Sequence, residues 1–171
     1  MKKLLIFIFI FLFPFCSISY ANDIDGYYRQ EILNNNLPFN TTGFFEAIRR
    51  GNITVVDLFL KAGMNPNATL AGSPAPMQAL YLNQVEILDL LLSSGADVET
   101  EVPALFVATK KQNLLSYAIK KKNENAVKVL IKYGVDVNKI FDNQLPLTRA
   151  KKSRQENIVK LLIQAGAQDR I

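Results

Sequence analysis

The chain has 171 residues and a formal net charge of +5, from 20 lysines and arginines against 15 aspartates and glutamates. It contains no histidine and no tryptophan, and its single cysteine is Cys16. Histidine and cysteine carry much of acid–base and nucleophilic catalysis and form most zinc sites. The composition therefore argues against an enzyme, and we expect no catalytic residue, no cofactor and no metal.

The amino terminus has the pattern of a secretory signal peptide. Two lysines precede an unbroken apolar run over residues 4–13, and Ser19 and Ala21 place small side chains before Asn22. The apolar run is shorter than the ~20 residues of a membrane-spanning helix. We predict a signal peptide over 1–21 and a secreted or periplasmic protein with no membrane span after cleavage. An uncleaved anchor, lipidation and an internal helix are the alternatives.

Residues 22–41 form a short segment before the repetitive part of the chain. A helix is predicted from Asp23 to Leu33, with an apolar side made of Ile24, Tyr27, Tyr28 and Ile32. End units of a stacked repeat protein must be sealed from water. We therefore predict an N-terminal helical cap over this segment.

From residue 42 onward the chain is repetitive. Four alanines recur with spacings of 32, 39 and 32 residues, at Ala47, Ala79, Ala118 and Ala150. Four glycines keep the same spacings, at Gly63, Gly95, Gly134 and Gly166. Two markers with one irregular spacing indicate a unit used four times, which is typical of stacked repeat proteins. The repeats are predicted at about 42–73, 74–112, 113–144 and 145–171.

Each unit reads as two helices. A short helix around the alanine is followed by a polar break and by a strongly apolar second helix that ends at the glycine, which suits a left-handed residue. Buried positions are predicted in the first unit at Val55, Val56, Leu58, Phe59 and Leu60. In the fourth unit they are predicted at Ile158, Val159, Leu161, Leu162 and Ile163.

The pattern resembles the ankyrin repeat, with its T-P-L-H-x-A start and its V-V-x-L-L-x-x-G-A-D run. The nearest stretches are Val85–Val98, Val127–Asn138 and Ile158–Ala167, and the resemblance covers roughly residues 42–171. The T-P-L-H slots depart from the family, since none has its histidine. The resemblance implies an all-α solenoid of stacked helix-turn-helix pairs with hairpin-like finger loops, which binds proteins through a concave face and the fingers.

The connector over residues 96–114 holds the seven residues that lengthen the middle spacing. Its apolar residues Leu105, Phe106 and Val107 are flanked by Lys110 and Lys111. Long loops are often functional, so Phe106 is a candidate contact. The alternative, that these apolar side chains pack back onto the stack, stays open.

Charge is divided along the chain. Residues 22–100 carry 4 basic and 9 acidic side chains, a net charge of −5, whereas residues 101–171 carry 14 basic and 6 acidic ones, a net charge of +8. Such a division can steer association and orientation. Binding of nucleic acid or of an anionic surface through the basic half is therefore the rival hypothesis, although nucleic acid is not the expected partner.

The first helices should expose one row of side chains to a partner. Besides Phe106, the partner-binding candidates are Tyr81, Tyr117, Lys120, Lys121, Arg149 and Lys152. Tyrosine and arginine are common interface anchors. Lysines at the end of a helix also complement its dipole, so a purely solvated role is the alternative.

The sequence thus predicts an exported, monomeric, non-enzymatic protein-interaction module. The partner is a protein that the sequence does not identify. A periplasmic inhibitor or accessory of an enzyme or toxin is the more specific version of this hypothesis.

Overall fold

The computed structural model describes residues 17–102 and 112–169, with side chains described from residue 25. Helix α1 (Ser17–Asn34) precedes the repeats. The first helices of the four repeats are α2 (Thr41–Arg49), α4 (Ala75–Tyr81), α6 (Leu114–Lys120) and α8 (Pro146–Lys152). The second helices of the four repeats are α3 (Ile53–Lys61), α5 (Val85–Ser93), α7 (Glu124–Lys132) and α9 (Glu156–Gln164). Four short strands are β1 (Thr69–Leu70), β2 (Ser73–Pro74), β3 (Glu101–Val102) and β4 (Gln112–Asn113).

The helices form two layers. The first helices α2, α4, α6 and α8 stack side by side, the second helices α3, α5, α7 and α9 stack in a parallel row, and each pair packs together within its repeat. The predicted all-α repeat solenoid is confirmed. All four marker alanines are fully buried, because a small side chain lets one first helix lie close to its neighbours.

The second helices carry the main apolar ladder. Four equivalent positions are fully buried, at Phe59, Leu91, Leu130 and Leu162. The prediction that Ile163 is buried is wrong, because 53% of it is exposed. Its equivalent Leu92 is 5% exposed under the next repeat, whereas no described element follows α9. Val159 and Leu161, and likewise Leu58 and Leu60 of the first repeat, are only partly buried.

The first helix of the fourth repeat, α8, has a charged residue at a position that is apolar in the other three repeats. At the position where Ile48, Leu80 and Ile119 are buried, the fourth repeat has the exposed Lys151, which forms an ion pair with Asp169. The first helix of the fourth repeat therefore exposes a charged side chain to water, whereas its second helix exposes the apolar side chain of Ile163.

Left-handed backbone marks both turns of every repeat. The glycines after the second helices have φ of +87°, +91°, +79° and +88°, at Gly63, Gly95, Gly134 and Gly166. The polar breaks between the helices have φ of +69°, +58°, +56° and +53°, at Gly51, Asn83, Lys122 and Arg154. A residue with a side chain has a higher conformational energy in this region than glycine has. The positive φ of Lys122 and Arg154 therefore lowers the stability of the folded protein.

Hairpin fingers connect the repeats. Strand β1 pairs antiparallel with β2, β3 pairs with β4, and a bridge joins Phe141 to Gln144. In place of the family's T-P-L-H start, the third repeat uses a capping box, in which Asn113 Oδ1 accepts from the Ser116 amide at 2.7 Å.

Side chains in the turns after the glycines join each repeat to the next. The Asp97 amide donates to Asn67 Oδ1 at 2.8 Å, and the Gln168 amide donates to Asn138 Oδ1 at 2.7 Å. Glu99 occupies the position equivalent to Asn67 and Asn138 and accepts a hydrogen bond from the Asp136 amide at 2.7 Å. These bonds add directional links to an otherwise apolar stack.

Helix α1 packs against α3 and thus lies in the row of second helices, with Ile32 fully buried. The helix begins at Ser17 rather than near Asp23, so cleavage after Ala21 would remove residues 17–21 from it. Residues 1–16 of the predicted signal peptide lie outside the described part, and the domain boundaries stay predictions. None of the described helices has the length and apolarity to cross a membrane.

Candidate functional site

The first helices present one side chain per repeat at an equivalent position. The four residues are Arg49, Tyr81, Lys120 and Lys152, spaced by 32, 39 and 32 residues. Arg49, Lys120 and Lys152 are exposed and Tyr81 is partly buried. Because α2, α4, α6 and α8 pack side by side, these positions form a row across the stack. We call the surface around this row the first-helix face.

Two tyrosines from neighbouring repeats meet on this face. The rings of Tyr81 and Tyr117 pack edge to face with centroids 4.6 Å apart. The prediction that Tyr117 is exposed is wrong, because it is only 9% exposed. Its ring supports Tyr81, whose pKa is raised by burial and by the neighbouring Tyr117. Tyr81 Oη is buried and has no hydrogen-bond partner among the described residues.

The lysines at the end of α6 are free cations. Lys120 and Lys121 are exposed, and neither forms an ion pair with any residue in the described ranges. The Lys121 Nζ lies 5.5 Å from the centre of the Tyr117 ring, a contact favourable for a cation. The two ammonium groups are therefore positioned at the surface without internal neutralisation.

Arg149 has a different environment from the lysines. Its side chain is 19% exposed and lies 3.8 Å from Asp142, and its Nη2 donates to the Phe141 carbonyl oxygen at 3.2 Å. Arg149 therefore ties α8 to the finger that precedes it in the chain. Lys152, one turn further along α8, is exposed. Phe106, the remaining candidate, lies outside the described residues.

The structure adds two residues that the sequence analysis did not select. Lys122 and Arg154 lie two residues after the ends of α6 and α8, are exposed, and adopt left-handed backbone. They join three of the candidates in one charged strip at the ends of α6 and α8, which we call the basic edge: Lys120, Lys121, Lys122, Lys152 and Arg154. The common repeat spacing could have found both, since they are equivalent to Gly51 and Asn83.

A shallow groove of about 400 Å³ runs beside the basic edge. Lys122 and Arg154 line it together with Glu124 and Glu156, so cations and carboxylates alternate there. Within the described ranges, no group of acidic side chains is arranged to hold a metal ion. The groove is therefore a mixed polar surface rather than a dedicated anion pocket.

Comparisons with known proteins agree with this architecture. Residues 103–170 match the family model of ankyrin repeats. An ankyrin repeat protein of fowlpox virus (strain NVSL) is 28% identical over 123 residues, which are 71% of this chain and 27% of the relative. The chain thus spans about a quarter of the viral protein's length.

A solved structure gives the same result for the fold. The crystal structure of an ankyrin repeat domain from Acinetobacter baumannii AYE matches with a TM-score of 0.61 and 25% identity, over 74% of this chain and 65% of that one. Ankyrin repeats generally mediate protein–protein interaction, and nothing in these comparisons points to catalysis. The chain therefore contains ankyrin repeats, matched by the family model over residues 103–170, and has the fold of a solenoid of stacked helix pairs.

Proposed function

We propose that this protein binds a protein partner through the first-helix face and the adjacent fingers. The observation that carries the proposal is the row of equivalent side chains, in which Arg49, Tyr81, Lys120 and Lys152 each extend from a different repeat. A partner that contacts the row meets four rigidly spaced positions. Such preorganisation reduces the entropy lost on binding.

The polarity of the row supports the same function. Tyr81 and the neighbouring Leu82, 39% exposed, give the second repeat an apolar surface, and the basic edge follows in repeats three and four. Interfaces commonly combine an aromatic or apolar centre with a charged rim. The first-helix face offers both within one stack.

Site-specific photo-crosslinking tests the proposal. A photoreactive amino acid is placed at Lys120 or Lys152 on the first-helix face, and as matched controls at Lys128 or Lys160 on the second helices of the same repeats. All four lysines are exposed. We expect adducts with a protein partner from the first-helix positions only. Adducts of equal yield from both surfaces, or from the second helices alone, would contradict the proposal.

The module is further proposed to act after export, with residues 1–21 as the signal. The basic start, the apolar run and the small residues before Asn22 support this part of the proposal. Mass spectrometry of the protein recovered from the exported fraction should give an amino terminus at Asn22. Retention of the full chain inside the producing cell would show that export does not occur.

A further inference from the structure

The four repeats can be compared at one position on the first-helix face. Glu46, Gln78, Tyr117 and Arg149 are equivalent, three residues before the row defined above. Only the first repeat has a carboxylate there. This position decides whether the cations at the end of a first helix are neutralised inside the protein.

In the first repeat the carboxylate of Glu46 binds two arginines. Arg49 donates to both Glu46 oxygens at 2.6 Å, and Arg50 Nε donates to Glu46 Oε1 at 2.7 Å. These hydrogen bonds from Arg49 and Arg50 lower the pKa of Glu46 to about 2. One carboxylate therefore neutralises both the cation at the row position and the cation at the next residue.

In the third repeat the same two cation positions are kept and the carboxylate is lost. Lys120 and Lys121 are equivalent to Arg49 and Arg50. Tyr117 occupies the place of Glu46, and no described acidic side chain forms an ion pair with either lysine. The third repeat therefore has a cation pair arranged as in the first repeat, but without its anion.

The fourth repeat extends the unneutralised charge. Lys152 and Arg154 have no ion-pair partner within the described part of the chain. Arg149, which replaces Glu46 there, is directed to the finger at Phe141 and Asp142. The axes of packed helices usually lie about 10 Å apart, so we expect equivalent cations of neighbouring repeats at about this spacing.

We propose that the basic edge binds an acidic protein segment, one carboxylate of which lies between Lys120 and Lys121 as Glu46 lies between Arg49 and Arg50 in the first repeat. This inference rests on the proposed function and specifies the chemistry of its partner. One carboxylate binds between Lys120 and Lys121, and a second, about 10 Å away, binds at Lys152 and Arg154.

Two observations favour carboxylates of a protein over the phosphates of a nucleic acid. The first repeat itself shows a carboxylate seated between two cations at the equivalent positions. Proteins that bind single-stranded nucleic acid stack bases on exposed aromatic rings, but here the Tyr117 ring is only 9% exposed and packs against Tyr81. The apolar surface of Leu82 beside the edge also suits a peptide.

The main test supplies the missing carboxylate from within the protein. The probe is a fluorescent peptide with two pairs of glutamates separated by three neutral residues, and fluorescence anisotropy measures its dissociation constant. Tyr117→Glu is compared with Tyr117→Gln, which loses the same ring contact with Tyr81. We expect the Glu variant to bind about tenfold more weakly than the Gln variant, because its carboxylate competes for Lys120 and Lys121. Equal affinities of the two variants would overturn the inference.

The converse change should create affinity. Glu46→Gln frees Arg49 and Arg50 and gives the first repeat an unneutralised cation pair, so the peptide should bind a few times more tightly. Lys128→Glu, on a second helix, serves as the control and should leave binding within error. A peptide with glutamine in place of glutamate should not bind.

Other anions distinguish the classes of partner. Duplex DNA, heparin and vesicles of anionic lipid are titrated under the same salt conditions. Binding of any of them as tight as that of the acidic peptide would overturn the assignment to an acidic protein segment. If crosslinks still map to the first-helix face, only the inference about acidity fails; crosslinks from the second helices would reject the proposed function as well.

Discussion

The first and third repeats have the same backbone arrangement and differ in the side chains that fill its core and cover its surface. Phe44 and Phe59 fill the first repeat with aromatic rings whose centroids lie 5.6 Å apart, whereas Leu115 and Leu130 fill the equivalent places in the third. On the surface, Glu46 neutralises two arginines in the first repeat, and no described carboxylate pairs with the equivalent Lys120 and Lys121 of the third. The frame therefore fixes which positions are buried, and the residues placed in it decide what each repeat can bind.

The difference has a physical basis. A buried position accepts either an aromatic or an aliphatic side chain if its neighbours change with it. A surface cation can be left without an internal partner at little cost, because water solvates it. The binding surface can thus diverge among repeats while the stack stays intact.

The largest expected difference between repeats concerns the core. Phe59→Ala should cost about 4 kcal/mol and the equivalent Leu162→Ala about 2 kcal/mol. The ring of Phe59 packs on both Phe39 and Phe44, whereas α9 can relax into its open side. Urea unfolding followed by circular dichroism and by tyrosine fluorescence measures both, and coincident transitions are required. Equal losses, or a larger loss for Leu162, would contradict the comparison.

A smaller difference is expected at the left-handed breaks. Lys122→Gly should stabilise the fold by about 0.5 kcal/mol, because glycine relieves the strain of positive φ but gains freedom in the unfolded chain. The reciprocal Gly51→Lys should destabilise it by about 1 kcal/mol. Thermal unfolding measures both changes. A loss of stability in Lys122→Gly would show that its side chain makes a compensating contact.

The smallest effect concerns acid stability. The pKa of Glu46 is lowered from 4.5 to about 2, first by the hydrogen bond from Arg49 and then by that from Arg50. The folded protein therefore binds this proton less readily than the unfolded chain does. The contribution of Glu46 is present above pH 4.5 and is lost as pH falls from there toward 2.

Unfolding of the wild type and of Glu46→Gln across this pH range isolates the contribution of Glu46. The difference between the two proteins should be constant near neutral pH and shrink on acidification. Glu86→Gln, which removes an exposed carboxylate outside any ion pair among the described residues, provides the control. A difference that grows in acid would contradict the pairing of Glu46 with both arginines.

Much of the architecture was accessible from residue patterns. The alanine and glycine spacings located all four helix pairs, because burial in a stacked repeat recurs with the frame. The pairing of Glu46 with Arg49 and Arg50 was accessible as well, since residues three and four apart on a helix are neighbours. By contrast, the prediction that Ile163 is buried was wrong. The spacing of apolar residues marks one side of α9 but does not show whether another element covers that side.

Contacts between repeats escaped the sequence analysis. Tyr117 was predicted to face a partner, but its ring is covered by Tyr81, 36 residues earlier. Arg149 was a candidate contact, yet its guanidinium bonds the carbonyl oxygen of Phe141 in the finger. Both outcomes depend on the relative placement of helices and hairpins, which periodicity does not encode.

The sequence by itself determined the repeat frame, the polar breaks and the uneven distribution of charge. These follow from local rules: apolar spacing selects the buried side of a helix, and glycine marks a left-handed end. The local pairing of Glu46 with Arg49 and Arg50 belongs to these rules as well. Only the tertiary structure decided that no carboxylate from another described element reaches Lys120 and Lys121, because such an ion pair requires two charged groups within reach in three dimensions. That is why Lys120 and Lys121 are distinguished from Arg49 and Arg50 by their surroundings, while their positions in the frame are the same.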